Sequence, residues 1–402
     1  MHIALITVAP TGMGGMQQHT HDLVGGLARQ GHDVEVIGAG QPGALPDRDE
    51  NGVRWHLLDV PTRYGTLKIQ HPTWRKASTR MFEQLHKVYP FDAVHSESVG
   101  AMGLLQAGIH RRVPVVVNIH GTYLGLLKQG FRRVAIARTG RSFVREGKFI
   151  IYLTSDWLIS GGEPYRLRAC EVLVATHSQV RDTVRSHLLV PSRVHVVPNG
   201  VDTELWSPQP RHAGARPLLV TGGRLYRNKG FDVAIRAMRG IDAELAITGE
   251  GEDRAVLEQL ARDEGVADRV RFLGRLPLPE LAALVGSCDA YLFPTVEYEA
   301  PGLVLLEAMS AGVPVIAARQ GTTAEAIGRP GINGILVPGG RPQALTDAVR
   351  SLLSDPSARE RIGAAARERI LSENTIELMV NRCLGVYEIA RAKLGDTALS
   401  AT

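Results

Sequence analysis

Short runs of apolar residues alternate with longer amphipathic stretches along most of the chain. "HIALITVAP" reads as a strand, and "MQQHTHDLVGGLARQG" follows as a helix closed by Gly31. "HDVEVIGAG", "FDAVHSES" and "VPVVVNIHG" read as further strands, the last two with polar groups at their carboxyl ends. A second series has "PLLVTGGRL", "AELAITGEG", "VRFLGRL", "AYLFPTVE", "GVPVIAARQ" and "GILVPGG" as strands, and "FDVAIRAMRG", "DRAVLEQLARDEG" and "GLVLLEAMSAG" as helices. Alternation of this kind predicts α/β layers on parallel sheets. The Pro- and Gly-rich stretch around Leu205 to Arg216 reads as a linker. It divides the chain into a first domain of residues 1–205 and a second of 206–374. The remainder, 375–402, reads as a helix from Thr375 to Leu394, and its pattern would suit either domain.

A length of 402 residues accommodates two domains, each with its own core. Hydrophobic residues make up 44% and charged residues 22%, the balance of a soluble globular protein. The longest apolar run, Leu303 to Ala318, is broken by Glu307 and falls short of the roughly 18 residues of a spanning helix. The first residues lack a basic leader and meet Pro10 at once, so they read as a strand, not a signal peptide. Cys170, Cys288 and Cys383 have no metal-ligand spacing and are expected as reduced thiols in the cytoplasm. The net charge of +5 is compatible with an anionic ligand or a peripheral membrane surface. No aromatic-studded basic stripe accompanies it, so nucleic acid is not an expected partner.

The stretch "FPTVEYEAPGLVLLEAMSAGVPV" carries the most chemistry. A strand runs into a helix that starts near Gly302, where free backbone N–H groups at Gly302, Leu303 and Val304 form an anion site. Glu307 sits one turn further along the helix on the face of Leu303, and Glu299 in the loop before it. Carboxylates accept hydrogen bonds from paired hydroxyls, so the layout suits a ligand with phosphates in the middle and a sugar at each end.

Three glycine-rich turns follow strands elsewhere. "TGGRLYRNKG" sets Gly223 beside Arg224 and Lys229, two cations able to neutralise a diphosphate without a metal. No Ser or Thr follows the lysine, so this is not a Walker loop. "ITGEGED" places Gly249 where a base or phosphate could rest. "PTGMGGMQQH" brings Gly14 and Gly15 to the start of the first helix, as a dinucleotide fingerprint does. That fingerprint wants an acid at the end of the second strand, and this strand ends in Gly38-Ala39-Gly40. A nucleotide-dependent oxidoreductase is therefore the weaker reading, and a non-catalytic sugar-nucleotide sensor a third.

Together these features resemble the retaining family 4 glycosyltransferases of the GT-B fold, over nearly the whole chain. The resemblance rests on Gly14-Gly15, "VPNGVD", "GGRLYRNKG" and, most specifically, the Glu-x7-Glu motif from Glu299 to Glu307. It implies two Rossmann-like domains facing across a deep cleft, with the terminal helix crossing back to complete the first domain. It also implies a nucleoside diphosphate sugar as co-substrate, uridine-linked by family habit, held mainly by the second domain. By the same resemblance Glu299 contacts the donor hexose, Glu307 the ribose, Arg224 and Lys229 the diphosphate, and Gly15 faces the phosphates. His120, after the "VVVN" strand, would lie near the anomeric centre and the 6-hydroxyl. No metal or organic cofactor is expected. The Asp47-x-Asp49 pair sits in a polar loop far in sequence from these signals.

For the acceptor hydroxyl the residues point two ways. The basic stretch from Lys128 to Lys148 would suit a phosphorylated acceptor or an anionic membrane. Glu97, at a strand's carboxyl end, with Asp156, would suit an amine-bearing acceptor such as an aminocyclitol. His19 and His21, two apart on a helix, do not share a face and are expected at the surface.

Overall fold

Strand β1, His2–Thr7, buries all six of its residues, which only a sheet covered on both faces allows. Its alternate side chains feed two cores. Ile3 and Leu5 join one cluster, and Ala4 and Ile6 another with Trp74 and Phe82. The computed structural model describes residues 1–10, 14–41, 44–45, 49, 51–62, 71–120, 166–296 and 302–399.

The chain divides into two units, Met1–Gly200 with Ile376–Thr402, and Val201–Thr375. The first carries a seven-stranded parallel sheet. Its strands after β1 are β2 Asp33–Ala39, β3 Arg54–Leu58, β4 Ala93–Glu97, β5 Val115–Ile119, β6 Glu171–Val174 and β7 Val194–Val196. Their order is β3-β2-β1-β4-β5-β6-β7. The second unit holds β8 Leu218–Gly222, β9 Glu244–Thr248, β10 Val270–Gly274, β11 Ala290–Phe293, β12 Val315–Ala318 and β13 Ile335–Val337. These lie parallel in the order β10-β9-β8-β11-β12-β13. Both sheets reverse their winding direction once, beside β1 and beside β8. Open α/β sheets bind ligands outside the carboxyl ends of the strands at such a reversal.

The division falls between Gly200 and Val201, ahead of the expected linker. The stretch from Leu205 onward is packed, not free. Trp206 is buried, His212 N–H donates to Ser287 O at 2.9 Å, and Arg211 pairs with Asp289 at 3.3 Å. Proline and glycine mark this segment because it follows the surface of the second unit in turns.

The terminal helix, Ile376–Leu399, belongs to the first unit. Ile376, Met379, Val380, Cys383, Val386, Tyr387 and Ala390 recur at helical spacing and enter the core with Ile3 and Leu5. Gly26, on the helix Gly15–Arg29, lets it come close: a Cβ there would lie 2.7 Å from Val380 Cγ2. Lys393 Nζ reaches buried Glu171 at 2.8 Å and pins the helix to β6. The three cysteines are free and buried. No helix among the described residues is long and apolar enough to cross a membrane.

Candidate active site

In the second unit the reversal lies between β8 and β11, and the loops leaving both strands are joined. Val296 N–H and Thr295 Oγ1 both donate to Asn228 O, at 3.0 and 3.2 Å. Gly230 takes φ +73° beneath the carbonyl of Pro294. The Gly223–Lys229 loop and the segment leading to Gly302 therefore share one place in the fold. Arg224 is exposed, with its guanidinium 5.9 Å from the centre of the Tyr226 ring. Lys229 is partly exposed, in a short 3-10 turn.

The helix Leu303–Ser310 starts at Gly302 with no side-chain cap. Leu305 N–H turns back to Gly302 O at 3.1 Å. By helix geometry the N–H groups of Leu303 and Val304 have no acceptor within the helix, as an anion site requires. Gly302 itself has φ −67°, and a Cβ there would meet nothing nearer than 3.6 Å. Its backbone does not demand glycine, and among the described residues a Cβ would make only ordinary contacts, with Val304 and Phe293. Glu307 is buried on this helix. Burial, with the Glu307 carboxylate nearby, pushes the Tyr291 phenol well above its ordinary range. Tyr291 is on β11, the strand that pairs with β8. Glu299, the other half of the motif, lies outside the described residues.

The Gly249 amide is already committed. Its N–H donates to Gly274 O at 2.6 Å, and at φ +108° it packs on the Gly223 carbonyl, where a Cβ would land 2.0 Å away. Gly223 N–H is likewise committed, to Thr248 O at 3.1 Å. These glycines shape the turn and do not offer those amides to a phosphate.

In the first unit the reversal lies between β1 and β4. Gly14 caps the helix Gly15–Arg29 without a side-chain partner, and its carbonyl accepts from Gln18 N–H at 3.0 Å. Glu97 ends β4, and Asn118, its register partner on β5, is followed by Ile119 and His120. Glu97 is 1% exposed, so its carboxylate meets neighbours in the fold and not solvent. Imidazoles surround it instead. His95 Nε2 lies 3.2 Å from Oε1, His19 Nε2 3.5 Å from Oε1, and His120 Nε2 bonds Oε2. Asn118 Nδ2 lies 2.8 Å from His19 Nε2. Burial opposes ionisation of Glu97. The surrounding imidazoles, His120 first among them, outweigh it and hold the carboxyl well below the ordinary carboxylate range.

His19 is buried, contrary to its expected surface position, because the face of its helix that carries Leu23 also carries His19 against the sheet. Burial lowers its pKa to about 4, against the raising effect of Glu97. His21 is half-buried, stacks on Trp55 at 4.9 Å between ring centres and bonds Pro10 O at 3.0 Å. One ligand atom from each of His19, Glu97 and His120 lies within 4.8 Å of the others, a density that metal sites share. Asp156, the basic stretch and Asp47 lie outside the described residues. Asp49 is spent on its own loop, accepting from Asn51 N–H, Val53 N–H and Trp55 Nε1–H.

His19, His95 and Asn118 were not anticipated as parts of this cluster. The spacing of "HSE" did hold a signal, since His95 and Glu97 are two apart on one strand and must share a face.

A family model described as "Glycosyltransferase Family 4" matches residues 13–205, and one described as "Glycosyl transferases group 1" matches 202–369. An uncharacterized glycosyltransferase of Methanocaldococcus jannaschii is 30% identical, over 98% of this chain and all of that protein. The chain belongs to the family 4 glycosyltransferases of the GT-B fold. This glycosyltransferase is also 31% identical to D-inositol 3-phosphate glycosyltransferase 1 of Catenulispora acidiphila, over 75% of the chain and 72% of that protein. Its fold matches that of sucrose-phosphate synthase from Thermosynechococcus elongatus with a TM-score of 0.76 at 23% identity, covering 97% and 99% of the two chains. Membership of this transferase family displaces the oxidoreductase reading.

Proposed function

We propose that this glycosyltransferase moves a hexosyl group, of the glucose or N-acetylglucosamine type, from a uridine diphosphate sugar to an acceptor hydroxyl with the α configuration retained. The observation that carries the reading is the joining of the Arg224–Lys229 loop to the segment before Gly302 at the β8/β11 reversal. Charge grows on the departing diphosphate as the glycosidic bond breaks. Arg224, Lys229 and the N–H groups of Leu303 and Val304 oppose it where it develops. Glu307 accepts from the ribose hydroxyls, and Glu299 from the hexose. His120 presents a ring nitrogen to a sugar hydroxyl. The acceptor attacks the face from which the diphosphate leaves, and a phosphate oxygen takes its proton, so no carboxylate nucleophile is needed. The two cations and the helix terminus supply the countercharge that a metal ion would otherwise supply.

The acceptor class is a small cyclitol or aminocyclitol. The likeness to an inositol phosphate glycosyltransferase supports the cyclitol part. With Glu97 enclosed, recognition of an amine would fall to other groups. The enzyme works in the cytoplasm, with peripheral membrane contact through the 128–148 stretch if its acceptor is lipid-borne.

A mass-spectrometric screen tests the reading. Purified protein is incubated with uridine, adenosine and guanosine diphosphate sugars against a panel of cyclitols and aminocyclitols. A product heavier by one hexosyl or N-acetylhexosaminyl unit from the uridine donors is expected. Turnover with guanosine or adenosine donors alone would overturn the donor assignment.

A further inference from the structure

The cluster around Glu97 has a direction. A carboxylate only accepts hydrogen bonds, so His95 donates from Nε2 to Oε1 at 3.2 Å. A neutral His95 then has Nδ1 as its acceptor, and the Tyr387 hydroxyl, 2.8 Å away, donates to it. His120 donates from Nε2 to Oε2. All three bonds run toward the carboxylate, and Tyr387, His95 and Glu97 are fully or almost fully buried. His120 alone emerges, its side chain 25% exposed. With Nε2 committed to Glu97, Nδ1 is the nitrogen it has left for a ligand.

We propose that Glu97 is a positioning residue that fixes the tilt of His120 and, in the neutral form of that imidazole, its tautomer, so that Nδ1 then accepts from a sugar hydroxyl, and that Glu97 is in turn held by a relay running through His95 to Tyr387 on the terminal helix. The role of His120 in transfer rests on the function proposed above; the relay rests on the geometry alone. A buried carboxylate behind an imidazole acts as the outer partners of metal-bound histidines do, by choosing which nitrogen bears the proton. Glu97 is enclosed by His19, His95, His120 and Asn118, which gives it a partner on each side within the fold. Tyr387 reaches the sheet from the part of the chain furthest in sequence from β4, which gives the terminal helix a task beyond covering the core.

Long-range nitrogen–proton NMR of the full chain, labelled with 15N-histidine and assigned with His120→Gln, reads the tautomer directly. The wild type is expected to carry the His120 proton on Nε2. Glu97→Gln, whose amide keeps one acceptor for two imidazoles, should shift it toward Nδ1 and lower kcat by about 10- to 100-fold, the scale reported for partners behind a working group. Tyr387→Phe, which keeps the packing, should show the same shift in part and a loss of about threefold or more, with donor KM within about twofold. A wild-type proton on Nδ1 overturns the proposal, as does a Glu97→Gln protein with unchanged tautomer and kcat. Stoichiometric retention of zinc by the wild type, abolished in His19→Gln, would replace positioning with metal ligation and overturn it as well. If Glu97→Gln does not fold, Tyr387→Phe decides alone. If the wild type transfers no sugar, the proposed function fails while the NMR result still judges the relay.

Discussion

Val296 donates its backbone N–H to Asn228 O across 3.0 Å, and this bond couples the loop after β8 to the loop after β11. Gly230 makes the approach feasible. It adopts φ +73°, and a Cβ on it would stand 2.0 Å from Pro294 O. Gly230→Ala is therefore expected to lower unfolding stability by about 1–3 kcal/mol and to cut turnover as the two loops part. Urea unfolding and steady-state kinetics check this. Unaltered values of both would show that the coupling is not needed.

Arg224 is exposed, so stability should not depend on it. Arg224→Ala is expected to melt with the wild type yet lose about 100- to 1,000-fold in kcat, the cost of removing one donor to a developing anion. Near-normal turnover at saturating donor would remove Arg224 from the diphosphate site.

At Gly302 the reverse logic applies. A methyl group there meets only ordinary van der Waals contacts at 3.6 Å and beyond and requires no change of backbone conformation. Gly302→Ala should fold normally but weaken uridine diphosphate binding by about tenfold, roughly 1.4 kcal/mol, because the added methyl would hold the diphosphate off the N–H groups of Leu303 and Val304. Isothermal titration of the two proteins compares the affinities, and equal values would place the diphosphate elsewhere.

Burial lowers the pKa of both His19 and His187 to about 4. Between pH 6.5 and 4 the unfolded chain takes up protons that these folded sites refuse. Their contribution to stability is complete above pH 6.5 and falls as the pH drops toward 4. At pH 5 each accounts for a loss of about 2 kcal/mol, at 1.36 kcal/mol per pKa unit. Unfolding curves at pH 7.5 and 5 measure the sum, and His187→Gln should remove about half of the difference. A profile flat over that interval contradicts the burial of both imidazoles.

The parallel-sheet architecture was legible because fully buried strands read as continuous apolar runs, "HIALIT" and "AYLF" among them. Strands β3, β6 and β7 were not anticipated. "RWHLL", "EVLV" and "VHV" are short, and Arg54, His56, Glu171, Arg193 and His195 in or beside them look like loop residues until their ion pairs are seen. The helix start at Gly302 was legible from its strand–turn–helix setting. The Glu97 cluster was not, because it joins His19, His95, Asn118 and Tyr387 from four elements, and no spacing rule connects residues that meet only through tertiary packing. The Leu205–Arg216 stretch reads as a linker and is nevertheless packed, because Pro and Gly mark turns on a surface as readily as flexible joints.

The helix Ile376–Leu399 closes the core of a unit whose first strand is His2–Thr7. During synthesis the portion made first cannot complete its core until Ile376–Leu399 has been made, after the whole of Val201–Thr375. Until then the faces that receive Met379, Cys383 and Tyr387 stay bare to water, and a chain truncated after Thr375 would be a target for chaperones and proteases through its opening half alone.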